Sequence, residues 1–402
     1  MIPDQPLVNL AALALIGIGN LWHFIWAVNI TSGLGYSEKT VDRIRLRLLA
    51  ALGCTSTLLA WCAMRQPILN WPRPVLAYAA ACVISALIIG PWGSLRILLR
   101  RPNVGTLRKS SNLDLREIHG ADNLIGESWQ GALLRIPGNE SLRLRRVEWD
   151  LEFPRLPRSL HGLSVIHLTD LHFARCFRRE FFEAVIDASR DWKADLVLLT
   201  GDLIDDAETL AWIEPILGRL DARLGKFAIL GNHDYEHQTD AILRELRRAG
   251  FETLEGKWAT IDVDGSTLAI GGTSYPWGPR LDPDDIPEAD FRILMSHTPD
   301  QFPNARKWGM DFVLSGHNHG GQVRFPLVGP VFMPSRYSRR YDRGFFRSGS
   351  TVMYVSEGVA GKHPVRFGCM PEIGRFVLKS TGTAPSYHPH ESAAGSLRAN
   401  RV

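Results

Sequence analysis

Five short apolar runs, each ending in Asp, His or Asn, constrain this 402-residue chain more than any other feature. The runs at 165–168, 196–199, 227–230, 293–295 and 312–314 are too short for helices, and apart from His167 they hold nothing polar. They read as strands buried on both faces. Helical patterns at 181–192 and 210–220 separate the first three, and another follows at 239–249. This β-α-β alternation implies an α/β core. Beyond the runs come Asp170-Leu171-His172, Gly201-Asp202, Gly231-Asn232-His233-Asp234, Ser296-His297 and Gly316-His317-Asn318-His319. Binding sites of open α/β sheets lie past the carboxyl ends of the strands, so five strand ends deliver these side chains to one place.

The residue types point to a chemistry. Two divalent ions about 3.5–4 Å apart can clamp the attacking and leaving oxygens of a phosphoryl displacement. A carboxylate such as Asp202 can bridge them, while imidazoles and an amide oxygen complete the coordination without piling up negative charge against a phosphate. A lone Asp or His at a strand end is usually a cap or a turn former. The weight here lies in GNHD, in GHNHGG and in the order of all five clusters. An N/O donor set without thiolate suits Mn, Fe or Zn and does not choose among them. His167, inside a run, and His237, past its motif, read as structural.

The first hundred residues follow another logic. Stretches 7–30, 48–64 and 74–95 contain no Asp, Glu, Lys or Arg. A membrane-spanning helix takes roughly 20 apolar residues and at least about 17, so the first and third suffice and the second sits at the limit. Residues 1–101 are therefore expected to form a membrane region with about three transmembrane helices. No basic residue precedes the first stretch, which does not read as a cleaved signal peptide. Lys39, Arg43, Arg45 and Arg47 in the first connection, and Arg96, Arg100 and Arg101 after the third, place the N-terminus outside and the remainder in the cytosol. The net charge of +4 belongs with this topology and with lipid contact, and no nucleic-acid partner is expected. Five cysteines without CxxC spacing argue against a disulfide framework or a structural zinc and fit a reducing compartment. Residues 102–160 are expected as a linker or extension with a strand near 142–153, 161–380 as the catalytic domain, and 381–402 as a disordered tail.

The strings DLH, GDLID, LGNHDY, SHTPD and SGHNHGGQ resemble the calcineurin-like metallophosphoesterase superfamily across 164–378. The resemblance implies a four-layer sandwich, two mixed β-sheets flanked by helices. It also implies one metal held by Asp170, His172, Asp202 and His319, and a second by Asp202, Asn232, His297 and His317. His233 would face the scissile phosphate or the leaving group, oriented by Asp234. The later strings PSRYSRRYDRGFF, YVSEG and PVRFG are similar to a membrane-associated bacterial group that includes a UDP-2,3-diacylglucosamine diphosphatase of lipid A synthesis. Three apolar segments and the added region before the core depart from that group, which commonly starts with one membrane segment.

The expected reaction is in-line attack on phosphorus by a metal-bridging hydroxide, opening a phosphodiester or pyrophosphate bond, with a lipid-linked nucleotide as the favoured substrate. A phosphodiesterase for soluble substrates and a non-catalytic membrane sensor or scaffold are the other classes. Arg336, Arg339 and Arg340, with Arg343 and Arg347, either hold a diphosphate, face anionic headgroups or form a solvated loop.

Overall fold

The computed structural model describes residues 6–100 and 104–381. It divides into two compact units, Met1–Arg101 with Arg324–Arg340, and Pro102–Val323 with Tyr341–Val402. The expected tail lies, but for Thr381, outside the described residues.

The smaller unit is built on α1 (Pro6–Ser32), α2 (Glu38–Arg65), α3 (Arg73–Ile84) and α4 (Gly90–Leu99). Pro74 opens α3, where its missing N–H costs nothing. A π-helical turn, Ser85–Ile89, joins α3 to α4 just ahead of Pro91, whose ring cannot sit inside a regular α-helix. Three helical segments, Asn9–Ser32, Glu38–Arg65 and Arg73–Leu99, are long and apolar enough to cross a membrane. The second is longer than its charge-free stretch because α2 starts among the charged residues 38–47. Asn20 ties the helices together, donating to Ser56 Oγ (2.9 Å) and accepting from Tyr78 (2.7 Å) and Thr55 (3.0 Å). Such bonds hold helices together where lipid would supply no hydrophobic drive.

Among the described residues fifteen strands follow in chain order. They are β1 (Gly105–Asp114), β2 (Arg143–Phe153), β3 (Ser164–Leu168), β4 (Leu196–Thr200), β5 (Gly225–Ile229), β6 (Glu252–Thr253), β7 (Trp258–Val263) and β8 (Ser266–Thr273), then β9 (Phe291–Ser296), β10 (Phe312–Ser315), β11 (Arg324–Phe325), β12 (Gly329–Pro330), β13 (Gly344–Ser348), β14 (Thr351–Val355) and β15 (Glu372–Ser380). In the larger unit, one sheet runs β1-β2-β15-β3-β4-β5-β6 and the other β13-β14-β10-β9-β8-β7. Both are mixed: β3 to β6 are parallel, as are β8, β9, β10 and β14, with antiparallel strands at the sides.

Side-chain alternation explains the layers. Leu196, Leu198, Phe227 and Ile229 of the first sheet pack with Ile270, Ile293, Met295, Phe312 and Leu314 of the second. The intervening Val197, Leu199 and Ala228 face the helical layer of Phe182, Val185, Ile216 and Leu246. On the far side, Leu294, Val313 and Met353 meet Phe302 and Ala305. The result is the four-layer sandwich, and it requires strands apolar on both faces.

Two boundaries differ from expectation. The strand expected near 142–153 is present as β2, but it is not confined to an extension: β1 and β2 are full members of the first sheet, with β2 paired in parallel to β15 over nine positions from Arg145↔Glu372 to Phe153↔Ser380. The catalytic region is also interrupted, since Arg324–Arg340 clusters with the helices.

A buried ion network fastens the β2–β15 junction. Arg145 lies 2.6 Å from Glu357 and 2.7 Å from Glu372, both almost fully buried, and Tyr354 donates to Glu372 at 2.6 Å. Burial alone would raise the Glu357 carboxyl, but Arg145 and Arg343 outweigh it and hold it below its ordinary value. Arg145→Met leaves Glu372 buried without its cation, so chemical denaturation should show a loss of about 3–5 kcal/mol. A loss under about 1 kcal/mol would mean the pair behaves as a solvent-screened surface bridge.

Candidate metal centre

The expected metal ligands and His233 each come from a turn directly after a strand. Asp170 and His172 follow β3, Asp202 follows β4, Asn232 and His233 follow β5, His297 follows β9, and His317 and His319 follow β10. Five of them stand in left-handed backbone: Asp170 (φ 54°), His172 (44°), Asp202 (54°), His317 (66°) and His319 (47°). Non-glycine residues there cost on the order of 1–3 kcal/mol each and persist only where the surroundings enforce them. Strand pairing and turn bonds do so. Asp170 N donates to Gly201 O (2.9 Å), His172 N to Asp202 O (2.9 Å), and His317 N to the Asp170 carboxylate (3.0 Å).

The imidazole orientations decide what the site can hold. His172 Nδ1 faces the Asp205 carboxylate (3.0 Å), His319 Nδ1 the Ala360 carbonyl (3.0 Å) and His297 Nδ1 the Thr200 carbonyl (2.8 Å). Each Nδ1 must therefore donate, which leaves every Nε2 of the neutral rings with a lone pair. Yet His172 Nε2 and His319 Nε2 lie 3.2 Å apart, with Asp202 Oδ2 at 3.5 Å from the first and Asp170 Oδ1 at 3.6 Å from the second. Around His297 Nε2 stand Asn232 Oδ1 (3.0 Å), His317 Nδ1 (3.1 Å) and Asp202 Oδ2 (3.3 Å). Acceptors that converge on acceptors fit cations between them. The donor set thus fits divalent cations: Asp170, His172, Asp202 and His319 form one candidate group and Asp202, His297 and His317 another, with Asn232 Oδ1 beside His297 Nε2 and Asp202 belonging to both groups. A ligating histidine whose other nitrogen is tied to a carboxylate or carbonyl is the usual arrangement.

The electrostatics agree. Burial opposes protonation of His297, but Asp202 and Asp170 raise its pKa to about 9, so positive charge is favoured at that point. His319 is pushed well below its usual value by burial, His172 and Arg366, which keeps its lone pair free.

A model of the calcineurin-like phosphoesterase family matches residues 163–321. Over 257 residues the chain is 32% identical to the uncharacterized metallophosphoesterase YkuE of Bacillus subtilis, an alignment spanning 59% of this chain and 86% of that protein. It is 31% identical over 221 residues to the phosphodiesterase YaeI of Escherichia coli, spanning 54% and 82% respectively. To the UDP-2,3-diacylglucosamine pyrophosphatase LpxG of Chlamydia trachomatis it is 26% identical over 296 residues, spanning 58% and 88%. The chain belongs to the calcineurin-like phosphoesterase family. Its phosphoesterase unit carries the divalent-metal chemistry of that family, and the sandwich described above is the family fold.

Within this phosphoesterase the acid beside His233 is not the expected one. His233 Nδ1 lies 2.6 Å from Asp205 Oδ1, while Asp234 turns away and accepts backbone N–H groups from Leu203 (2.8 Å), Ile204 (3.3 Å) and Gly231 (2.8 Å). Asp234 thereby staples the turn after β5 to the turn after β4. Asp205 stands between His172 and His233. Burial would raise its pKa, but the two imidazoles outweigh that and hold it far below the usual carboxylate range. Asp205 is the final letter of GDLID, and only a spacing signal marks it: three residues past Asp202, on the same turn. Trp277 was also missed. Its ring centroid is 4.7 Å from that of His317, an aromatic wall beside the second ligand group.

The three arginines expected at a diphosphate are placed with the helices, in Arg324–Arg340. Arg339 is committed there: its guanidinium lies 4.8 Å from the Trp22 ring centre and donates to Ser94 Oγ (3.0 Å) and Val328 O. That corrects the diphosphate contact expected of Arg339. Arg343 pairs with Glu357 at 2.5 Å. Arg366, fully buried, sits behind the metal ligands and donates to Glu357 O (2.8 Å) and Ala360 O (2.6 Å), the latter the carbonyl that receives His319 Nδ1. His167 is structural, hydrogen-bonded to Thr200 Oγ1 at 2.8 Å, with burial pushing its pKa down to about 3.

Gly231 is needed for close approach, since a Cβ there would stand 2.0 Å from Asp202 Oδ1. Gly231→Ala should therefore displace the shared carboxylate and lower the metal content of the purified protein. Asp205→Asn should reduce metal affinity or turnover by about 10- to 100-fold, the usual effect of removing a partner behind a ligand. Unchanged metal titration and unchanged rate in that variant would remove Asp205 from the machinery.

Proposed function

We propose that this chain is a membrane-anchored, multi-pass dimetal phosphoesterase that hydrolyses a phosphodiester or pyrophosphate bond at the cytosolic membrane face. The favoured substrate is a lipid-linked nucleotide of the UDP-2,3-diacylglucosamine kind. One observation carries this reading: two ligand groups share Asp202, and beside them His233 is partly exposed and tied at Nδ1 to Asp205. Divalent ions held by the seven ligands supply Lewis-acid charge that stabilises the negative charge growing on the phosphoryl oxygens.

The chain's own residues do the rest. Asp205 fixes the His233 ring and balances a positive charge on it, so His233 Nε2 can donate a hydrogen bond to a phosphoryl or leaving-group oxygen. The bond from phosphorus to the leaving oxygen breaks, water supplies the new oxygen on phosphorus, and the departing oxygen takes up a proton. Trp277 offers a flat face for the substrate's non-phosphate part. The relation to LpxG supports the lipid-linked nucleotide. Three apolar helical segments, with arginine and lysine concentrated after the first and third, support the anchoring and its orientation. The relation to YaeI supports a second reading, a phosphodiesterase whose helices serve only to locate it.

The test is turnover by the full chain in nanodiscs with Mn²⁺, offering UDP-diacylglucosamine in one arm and a soluble phosphodiester in the other. Release of UMP and a lipid phosphate supports the first reading, and turnover of the soluble ester alone supports the second. Asp202→Ala and His319→Ala should abolish activity. His233→Ala should lose about 10²- to 10⁴-fold while keeping its metal, the range typical of a proton-transferring side chain. Bound metal with no turnover on any ester would leave a sensor or scaffold.

A further inference from the structure

Arg324–Arg340 lies in sequence inside the phosphoesterase region, yet it packs as part of the helical unit. It has four arginines and neither Asp nor Glu. It opens with a small hairpin, β11 paired with β12, and large apolar side chains of the segment are exposed: Phe325 53%, Leu327 78% and, past the hairpin, Phe332 53%. In water so dense an apolar surface is a liability, and on a soluble loop it would call for a partner.

The polar groups of the segment are handled in the opposite way. Asn29, 1% exposed within the charge-free α1, spends its whole amide on it: Nδ2 donates to Val331 O (3.0 Å) and Ser338 Oγ (3.1 Å), and Oδ1 accepts from Met333 N (2.9 Å). Ser94 of α4 donates to Val328 O (3.0 Å), and Arg339 donates to the same carbonyl. Gly33, just past α1, lets the backbone close in, since a Cβ there would stand 2.4 Å from Arg336 N. Irregular backbone survives at membrane depth only where protein groups satisfy its N–H and C=O, and here side chains of the helices do so one by one. The same segment borders a cavity of about 730 Å³ lined by Ile18, Trp22, Trp92, Leu95, Leu327 and Val328.

We propose that Arg324–Arg340 is a membrane-embedded interfacial loop, and that its groove with α1 and α4 seats an acyl chain of an anionic phospholipid. Leu327 and Phe325 lie among the acyl chains, and the arginine-only charge of the segment matches the phosphate level of that leaflet. Asn29 and Ser94 both fall near the C-terminal ends of their helical segments. In a three-span topology the first and third segments end on the same side, so one loop can reach both. The proposal rests on the membrane reading of the helices.

The test uses the full chain in vesicles of phosphatidylethanolamine and phosphatidylglycerol. Cys54 is the one exposed cysteine among the described residues, so Cys54→Ser supplies a background for single labelling. An environment-sensitive fluorophore is placed by Leu327→Cys or, as control, by Asp284→Cys in the phosphoesterase unit. At position 327 emission should be blue-shifted and quenched by spin-labelled acyl chains. Its iodide quenching should be at least about fivefold weaker than at position 284, as for a group some 5–10 Å into the headgroup–acyl boundary. Equal iodide quenching at both positions in vesicle-bound protein overturns the loop proposal and leaves the anchoring intact. Protein that fails to float with vesicles overturns the anchoring itself. Phe325→Glu/Leu327→Glu gives a second readout. It should keep its soluble-ester turnover and its flotation yet lose the enhancement of Trp quenching by brominated phosphatidylglycerol, and retention of that enhancement would refute the acyl-chain groove.

Discussion

The molecule depends on one electrostatic arrangement, the convergence of acceptor atoms at the ends of five strands. Lone pairs of His172 and His319 face each other at 3.2 Å between two carboxylates, and without a cation such a cluster repels itself. Five of its residues also stand in left-handed backbone. Both costs are carried by what lies below, two sheets whose interleaved apolar faces leave the strand ends little room to relax. Pre-placed ligands bind a cation without reorganising, and the strain is the consequence of having them ready.

Behind the ligands each ring is oriented by a group that is itself fixed. Asp205 serves two rings at once, His172 among the ligands and His233 facing the open side. A carboxylate shared in this way couples the candidate ligand His172 to His233, the group proposed to meet the phosphate. On the other flank Ala360 O receives both His319 Nδ1 and Arg366, and Arg366 in turn holds Glu357 O. Glu357 is gripped by Arg145 of β2 and by Arg343. Strand β2 thus reaches the candidate metal site through a chain of three charged residues, Arg145, Glu357 and Arg366.

What could be read in the sequence was whatever is local. Each ligand cluster is contiguous with the strand that presents it, so a run such as LVLLTGD announces both the strand and its product. The parallel strands came through for the same reason, being apolar on both faces. The role of Asp205 did not, because it depends on which way two rings turn, and Asp234, adjacent to His233 in sequence, was the nearer choice. The union of β2 with β15 and the departure of Arg324–Arg340 are pairings between segments far apart in the chain, such as Asn29 with Met333, and nothing in either segment names its partner.

That departure bears on the catalytic motif itself. Asn318, placed between the ligands His317 and His319, donates to Tyr341 O at 2.6 Å, fixing the point at which the chain returns to the phosphoesterase unit. Gln322, three residues after His319, donates to His363 O (2.9 Å) and accepts from Phe367 N (2.9 Å), fixing the point just before the chain leaves. GHNHGGQ therefore has two duties, since His317 and His319 stand in the candidate ligand groups while Asn318 and Gln322 clamp the two roots of the excursion. A rigid root lets seventeen residues pack elsewhere without dragging on His317 and His319, whose left-handed turns tolerate little displacement. The constraint on the segment is then set at its two ends by the same short motif that sets the chemistry, while its sequence between them is free to follow the demands of the helices it joins.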